Sequence, residues 1–370
     1  MRVLQVTSHL NIGGISRYVL TLSSRLAARG HAVRIASGGG ELEAEAAAAG
    51  VGHRLVPLHT SADFSLQAWL AARRLAQLLR REPADVVHAH TRISQVAAAH
   101  CARVVGVPYV TTWHGIFRPN LGRSLWPCTG HRTIAISEPV RQNLLATFRV
   151  PEERVRLIVN GVDPAYFAQP PQPDAVAAFR QAHGVPPRGP IIGSIGRLAS
   201  GGVKGFDLVV ATAARLVHDI PDLHVLIVGD GPRRPLIERL VQESGLGGRV
   251  HLTGRVADVR VPLSIMDVFV FPVRWPEGFG LSLIEAMAAG RPVVATRTGA
   301  VPGILADAGC GVLVNTDDVR ALADGIAGLL RDPAFAARMG QAGQRRVRDA
   351  FSLDRMVERV EAVYREVAPG

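Results

Sequence analysis

Apolar residues along the chain come in two arrangements. In one they form short unbroken blocks; in the other they recur every three or four positions, and the first reads as buried strand and the second as amphipathic helix. Residues 2–7 make the first block, followed by a polar loop with Gly13 and Gly14 and a helical pattern over 16–29. Further strands are predicted at 31–37, 54–57, 84–88, 109–112, 133–136 and 155–159, with helix-like segments between them. Asn160-Gly161-Val162-Asp163 closes this half. Such alternation predicts an α/β fold with a doubly wound parallel sheet, which takes ligands at the carboxyl ends of its strands.

The rhythm then breaks. Between 164 and 190 stand seven prolines, with Val176 and Phe179 as the few core positions, and the stretch reads as a linker and the entry to a second domain. From 191 the alternation restarts, with strands predicted at 191–195, 223–228, 250–252, 268–271, 292–295 and 311–314. Three helical segments, 319–330, 333–350 and 353–367, end the chain without a strand between them. The expected domains are therefore 1–163 and 164–351, with a terminal helix in 352–370. A length of 370 residues agrees, since one core rarely sustains so long a chain.

Composition narrows the class. An apolar content of 48% suits a globular protein, and no apolar run approaches the ~20 residues of a spanning helix. The beginning, MRVLQVTS, lacks the pattern of a signal peptide, so the expected location is cytoplasmic. Cys101, Cys128 and Cys310 are far apart and indicate neither a disulfide framework nor a zinc cluster. Of the net charge of +11, residues 1–160 carry 19 Lys and Arg against 9 Asp and Glu, so the basic surface belongs to the first half. Such a half suits an anionic membrane or an acidic acceptor. Nucleic acid is not expected, because aromatics are only 5% and no basic stripe interleaves with them.

Chemistry concentrates in WPEGFGLSLIEAMAAG, residues 275–290. A Gly278-Phe279-Gly280 turn leads into a helix at Leu281, whose first-turn amides and dipole favour an anion such as phosphate. Leu283, Ile284 and Met287 would face the core, leaving Glu277 before the helix and Glu285 on its flank, with seven residues between them. Carboxylates accept hydrogen bonds from hydroxyls, so a ligand with hydroxyls on both sides of its phosphates fits, as a nucleotide sugar does. The plainer alternative is a helix with a dipole-matched Glu277 and a solvated Glu285. A second concentration is GSIGRLASGGVKGFD, residues 193–207, where Arg197 and Lys204 end a strand. Lys204 is the only lysine beside 41 arginines, which marks it for a role Arg cannot fill unless chance left it there.

Read whole, EGFGLSLIEAMAAGRPVVAT resembles the signature of the retaining glycosyltransferases of family 4, and GRL followed by KGFD is similar to that family's pattern, although the intervening ASGGV is longer and richer in glycine. The resemblance implies the GT-B fold, two Rossmann-like domains facing across a cleft, with the last helix crossing back onto the first. It implies that Glu277 contacts the donor sugar, Glu285 the ribose, and Arg197 and Lys204 the diphosphate. It places Gly13 and Gly14 near the donor phosphate or the acceptor, Gly254 near the base, and His114 in WHG near the reacting sugar carbon; Gly229 in VGDGP, a glycine turn between strand and helix, reads as a connection that frames the nucleotide. Domain closure would bring His114 onto the donor.

The implied reaction moves a hexosyl unit from a nucleoside-diphosphate sugar to a glycan or lipid-linked acceptor, with retention and with neither metal nor cofactor. No Asp-x-Asp triplet follows an apolar strand, and two cations with helix amides neutralise a leaving diphosphate. Some alternatives stay open. Gly13-Gly14 and VGDGP also read as plain turns, His88 and His90 either as cleft lining or support or as a metal pair, and 66–81 as a crossover helix or a membrane-surface helix placing the protein at the inner face of the cytoplasmic membrane. Two further functions remain possible for the chain, an epimerase or hydrolase of the same fold and a protein that binds anionic polymers.

Overall fold

The structure, a computed structural model, describes residues 1–58, 65–305 and 309–368. The chain divides into two compact units, Met1–Asn160 with Asp354–Gly370, and Gly161–Leu353.

In the first unit seven strands form one sheet: β1 (Arg2–Val6), β2 (Ala32–Ser37), β3 (Gly52–Leu55), β4 (Val86–Ala89), β5 (Tyr109–Trp113), β6 (Arg132–Ala135) and β7 (Val155–Leu157). Every pairing is parallel and the order is β3-β2-β1-β4-β5-β6-β7. Central strands of such a sheet are covered on both faces, so β4 reads as the unbroken run VVHA and is buried throughout. The edge strand β3 begins two residues before its predicted start, because pairing with β2 from Arg34↔Gly52 to Ser37↔Leu55 sets its limits rather than its own apolar content.

Helix Leu66–Arg81 turns Ala68, Ala71, Ala72, Leu75, Ala76 and Leu79 onto a core shared with Leu4, Val6 and Val87. That is the crossover-helix arrangement. Its outer side leaves Leu66, Trp69 and Leu70 exposed beside Arg73, Arg74, Arg80 and Arg81. From Asp354 the last helix, Leu353–Val367, belongs to this unit, burying Val357, Val360 and Tyr364. Glu361 meets Arg29 at 3.2 Å and His31 at 2.8 Å, and Glu366 meets Arg132 at 2.7 Å. Residues 369 and 370 of the expected terminal helix lie outside the described residues.

In the second unit β8 (Ile191–Ile195), β9 (His224–Val228), β10 (Val250–Gly254), β11 (Val268–Phe271), β12 (Val293–Thr296) and β13 (Val312–Val314) form a parallel sheet in the order β10-β9-β8-β11-β12-β13. The stretch expected as a linker is partly helical. Pro164–Ala168 and Pro173–His183 are helices, each with its proline at the start, where a missing N–H costs nothing. Asp163 caps the first, and Gly184 ends the second in the left-handed region. The prolines there start helices instead of preventing them. The unit closes on itself where Val162 bridges Ser352, a contact so close that a Cβ on Gly161 would lie 2.6 Å from the Ser352 carbonyl oxygen.

Candidate active site

Strand order decides where chemistry can collect in the second unit. β8 and β11 are neighbours, yet β9 and β10 lie between them in sequence, so the connections leaving the two strands diverge and open a crevice at their carboxyl ends. The loops that border it are 196–205 and 272–280. They are fastened together by the Arg274 amide, which donates to the Val203 carbonyl at 2.9 Å. Gly205 sits at φ 65°, and a Cβ there would lie 1.9 Å from the Pro272 carbonyl oxygen. This close approach brings Lys204 Nζ to 2.5 Å from Glu277 Oε2, with side chains 27% and 20% exposed. The ammonium also stands 5.6 Å above the Phe271 ring.

Glu277 is braced from the β12 side as well. Its carbonyl accepts from the Ala300 amide at 3.1 Å, and a Cβ on Gly299 would lie 2.4 Å from the Glu277 backbone nitrogen. Gly278, Phe279 and Gly280 are buried. Gly280, at φ 111°, caps helix Leu281–Ala288 without a side-chain bond, and the first turn contains no acidic residue. A helix that starts this way offers backbone amides and the positive end of its dipole to an anion. Leu283, Ile284 and Met287 are buried as their spacing predicts, while Leu281 and Glu285 are half-buried.

The third side of the crevice is backbone. Gly229, at φ 132°, passes so near that a Cβ would lie 1.9 Å from the Gly196 carbonyl oxygen, and its amide donates to the Gly254 carbonyl at 2.8 Å. Gly254 itself adopts φ 73°. Arg197 is exposed on the loop that carries Lys204.

Three charged residues here escaped the sequence reading. Arg233 stands 3.9 Å from Asp207 and lines, with Lys204, Leu198, Phe206 and Asp207, a small surface hollow. Arg274 grips both oxygens of Asp207, at 2.7 and 2.6 Å. The signal for Arg233 was its place directly after the GDGP turn, where a cation faces the strand ends.

The first unit carries its own polar cluster, and it is buried. His88 belongs to β4, His90 follows it, and His114 follows β5. His90 Nδ1 and His114 Nε2 are 3.2 Å apart, and His90 Nε2 lies 2.7 Å from Gln5 Oε1. Gln5 Nε2 donates to Tyr364 Oη at 2.9 Å, which lies 2.6 Å from His88 Nδ1. His88 Nε2 is 2.7 Å from Thr112 Oγ1. Tyr18 packs edge-on against His114 at 4.8 Å. Of the two earlier readings for His88 and His90, the hydrogen bonds fit support, and no group of three or more His, Cys, Asp and Glu among the described residues could hold a metal ion. Gly13, with φ 175°, is extended and precedes helix Gly14–Ala28; only Asn11 O, at 3.9 Å, lies near its Cβ position.

Burial pushes the His88 and His114 imidazoles down from 6.5 to about 3, and holds His90 well below 6.5. An unfolded chain takes up these protons near 6.5 and the folded one refuses them until about 3, so U binds more protons across that window. Stability is therefore full above about pH 6.5 and falls as the pH drops toward 3. Thermal melts over this range should show it, with a shallower decline in His88→Gln; an identical decline in both would contradict this origin.

Comparison with known proteins gives the cluster and the crevice a context. Residues 176–346 match the family described as Glycosyl transferases group 1, and residues 12–166 match Glycosyltransferase Family 4. The chain is 31% identical to alpha-maltose-1-phosphate synthase of Mycolicibacterium smegmatis, over 78% of this chain and 80% of the relative. The chain belongs to the group 1 glycosyltransferases. It is also 27% identical to phosphatidyl-myo-inositol mannosyltransferase of Mycobacterium leprae, over 96% of this chain and 94% of that one. The crystal structure of Anabaena HepE in complex with UDP and glucose matches it in fold with a TM-score of 0.87, covering 99% of this chain and 100% of that one at 19% identity. This glycosyltransferase thus has the GT-B fold, as the resemblance implied. In its second unit the structure joins Lys204 to Glu277 and sets Gly229 against Gly254. No helix among its described residues is long and apolar enough to cross a membrane.

Proposed function

We propose that this glycosyltransferase moves a hexosyl unit from a nucleoside-diphosphate sugar to an acceptor hydroxyl, with retention at the anomeric carbon and without a metal ion. The observation that carries the reading is the meeting of Lys204 and Glu277 at the strand-order reversal, beside a helix start that no side chain caps. Lys204, Arg197 and Arg233 with the amides at Gly280 and Leu281 stabilise the leaving diphosphate, Glu277 orients the sugar, and Glu285 holds the ribose. Lys204 is paired with Glu277, and a bound phosphate would share that cation. Glycines 229, 254 and 278 and Phe279 let the backbone approach the ligand. His114, and the loop at Gly13 and Gly14, serve the transfer from the first unit. That HepE holds UDP and glucose supports a nucleotide-sugar donor, and the mannosyltransferase relative supports a lipid-linked or glycan acceptor in cell-surface polysaccharide, lipopolysaccharide or glycolipid synthesis.

A panel of UDP, GDP and ADP sugars tests this by thermal shift, since a ligand of the folded state alone raises its stability. One base should raise the melting temperature, transfer should require an acceptor and persist in EDTA, and the product should keep the donor's anomeric configuration. Inversion, or loss of activity on chelation, would sink the corresponding part.

The outer side of helix Leu66–Arg81 extends the reading to the cytoplasmic face of the membrane. Exposed Leu66, Trp69 and Leu70 beside four exposed arginines suit insertion of apolar side chains at an anionic lipid surface, each cation adding about 1 kcal/mol there. Co-sedimentation with phosphatidylglycerol vesicles should be lost in Arg73→Glu/Arg74→Glu; unchanged binding would place the contact elsewhere.

A further inference from the structure

Six polar side chains of the first unit, Thr112, His88, Tyr364, Gln5, His90 and His114, form one hydrogen-bonded line, and its chemistry has a direction. Gln5 presents Oε1 to His90 Nε2 at 2.7 Å and Nε2 to Tyr364 Oη at 2.9 Å. An amide oxygen only accepts, so the hydrogen on His90 must be on Nε2. His90 is a neutral imidazole, with burial the main reason, and a neutral ring carries one hydrogen, so its Nδ1 is an acceptor. The partner of that Nδ1 is His114 Nε2, 3.2 Å away, which must therefore donate. At the other end, the Gln5 amide hydrogen occupies Tyr364 Oη, leaving the phenol hydrogen for His88 Nδ1 at 2.6 Å and the His88 Nε2 hydrogen for Thr112 Oγ1 at 2.7 Å. Gln5, His88, His90, Thr112 and Tyr364 are buried and His114 is half-buried, and at the buried positions a mismatched pair would leave a polar atom unsatisfied.

We propose that Tyr364, Gln5 and His90 are positioning residues that hold His114 as a single tautomer, protonated on Nε2 and bare on Nδ1. This rests on the reading that His114 serves the transfer. Its half-buried ring then offers the ligand an acceptor only, a nitrogen that takes a hydrogen bond from a sugar hydroxyl and cannot supply one. A helix from the far end of the chain thereby sets the chemistry of a loop after β5.

The test is nitrogen-15 NMR of histidine-labelled full-length protein at pH 7, with activity measured in parallel. The wild type should show His114 with a protonated Nε2 and an unprotonated Nδ1. Gln5→Met and Tyr364→Phe should each remain folded by circular dichroism. The His114 resonances should move toward a tautomer average in both, and kcat should fall about tenfold with the donor KM little changed. A wild-type His114 protonated on Nδ1, the result if the Gln5 amide were turned around, overturns the proposal. So does a single unchanged tautomer in Gln5→Met. His114→Ala separates the two levels: full activity in that variant would remove His114 from the transfer and the positioning role with it, whereas an inactive variant beside an unmoved tautomer sinks the positioning role alone.

Discussion

Lys204→Ala is expected to abolish the rise in melting temperature that a nucleotide sugar produces and to lower kcat/KM by about 10²–10³-fold, the loss typical of one preorganised charge at a developing anion. Two separate losses combine. The leaving diphosphate loses a cation held 2.5 Å from Glu277, and Glu277, 20% exposed, loses its neutralising partner. An unpaired carboxylate beside a bound diphosphate repels it, so the variant should bind donor worse than removal of one contact alone would predict. Lys204→Arg should not restore activity. The ammonium is a compact charge above the Phe271 ring and against Glu277, whereas a guanidinium is a larger planar fork of five donors that bonds in fixed directions. Kinetics and thermal shift of the two variants decide the matter: near-parental values for Lys204→Ala would show that the diphosphate is held elsewhere.

Gly205→Ala is expected to be among the most damaging small substitutions in the second unit, and the one that acts on the Lys204 loop directly. Its φ of 65° is costly for a side chain, and the added Cβ would lie 1.9 Å from the Pro272 carbonyl oxygen, a backbone atom that cannot swing aside. Strain at such positions costs about 1–3 kcal/mol before the clash is counted, so a total near the upper end is reasonable. About 3 kcal/mol corresponds to a fall of roughly 6–12 °C in melting temperature for a unit of this size. Because Gly205 joins loops 196–205 and 272–280, relief of the clash by separating them would pull Lys204 from Glu277, and donor response should fail along with stability. Gly50→Ala is the control, since φ there is also positive but nothing lies within 4 Å of the Cβ position. Equal melting temperatures for the two variants would show that the close approach is unimportant.

The contrast between these residues shows what could be read before folding. Glu277, Gly280 and Glu285 stand in one short segment, and the turn, the helix start and the flank are consequences of local backbone preference. Lys204 was marked by composition. Arg233 was not, because its value comes from a neighbour 26 residues away: it reaches Asp207 only after β9 has been laid beside β8. The histidines were legible as residues but not as a line, since Gln5 and Tyr364 are separated by almost the whole chain. The prolines of 164–190 misled for a related reason. Proline forbids a helix interior but favours a helix start, and the surrounding fold decides which position it occupies.

By itself the sequence determined two α/β units, the strands within each and the acidic pair around a glycine turn, because apolar period and turn chemistry act over a few residues. Only the tertiary structure decided that Lys204 faces Glu277, that Asp207 is shared by Arg233 and Arg274, and that Tyr364 reaches Gln5. Those meetings depend on which strands lie side by side, and strand order is settled by burial of whole faces rather than by any local preference.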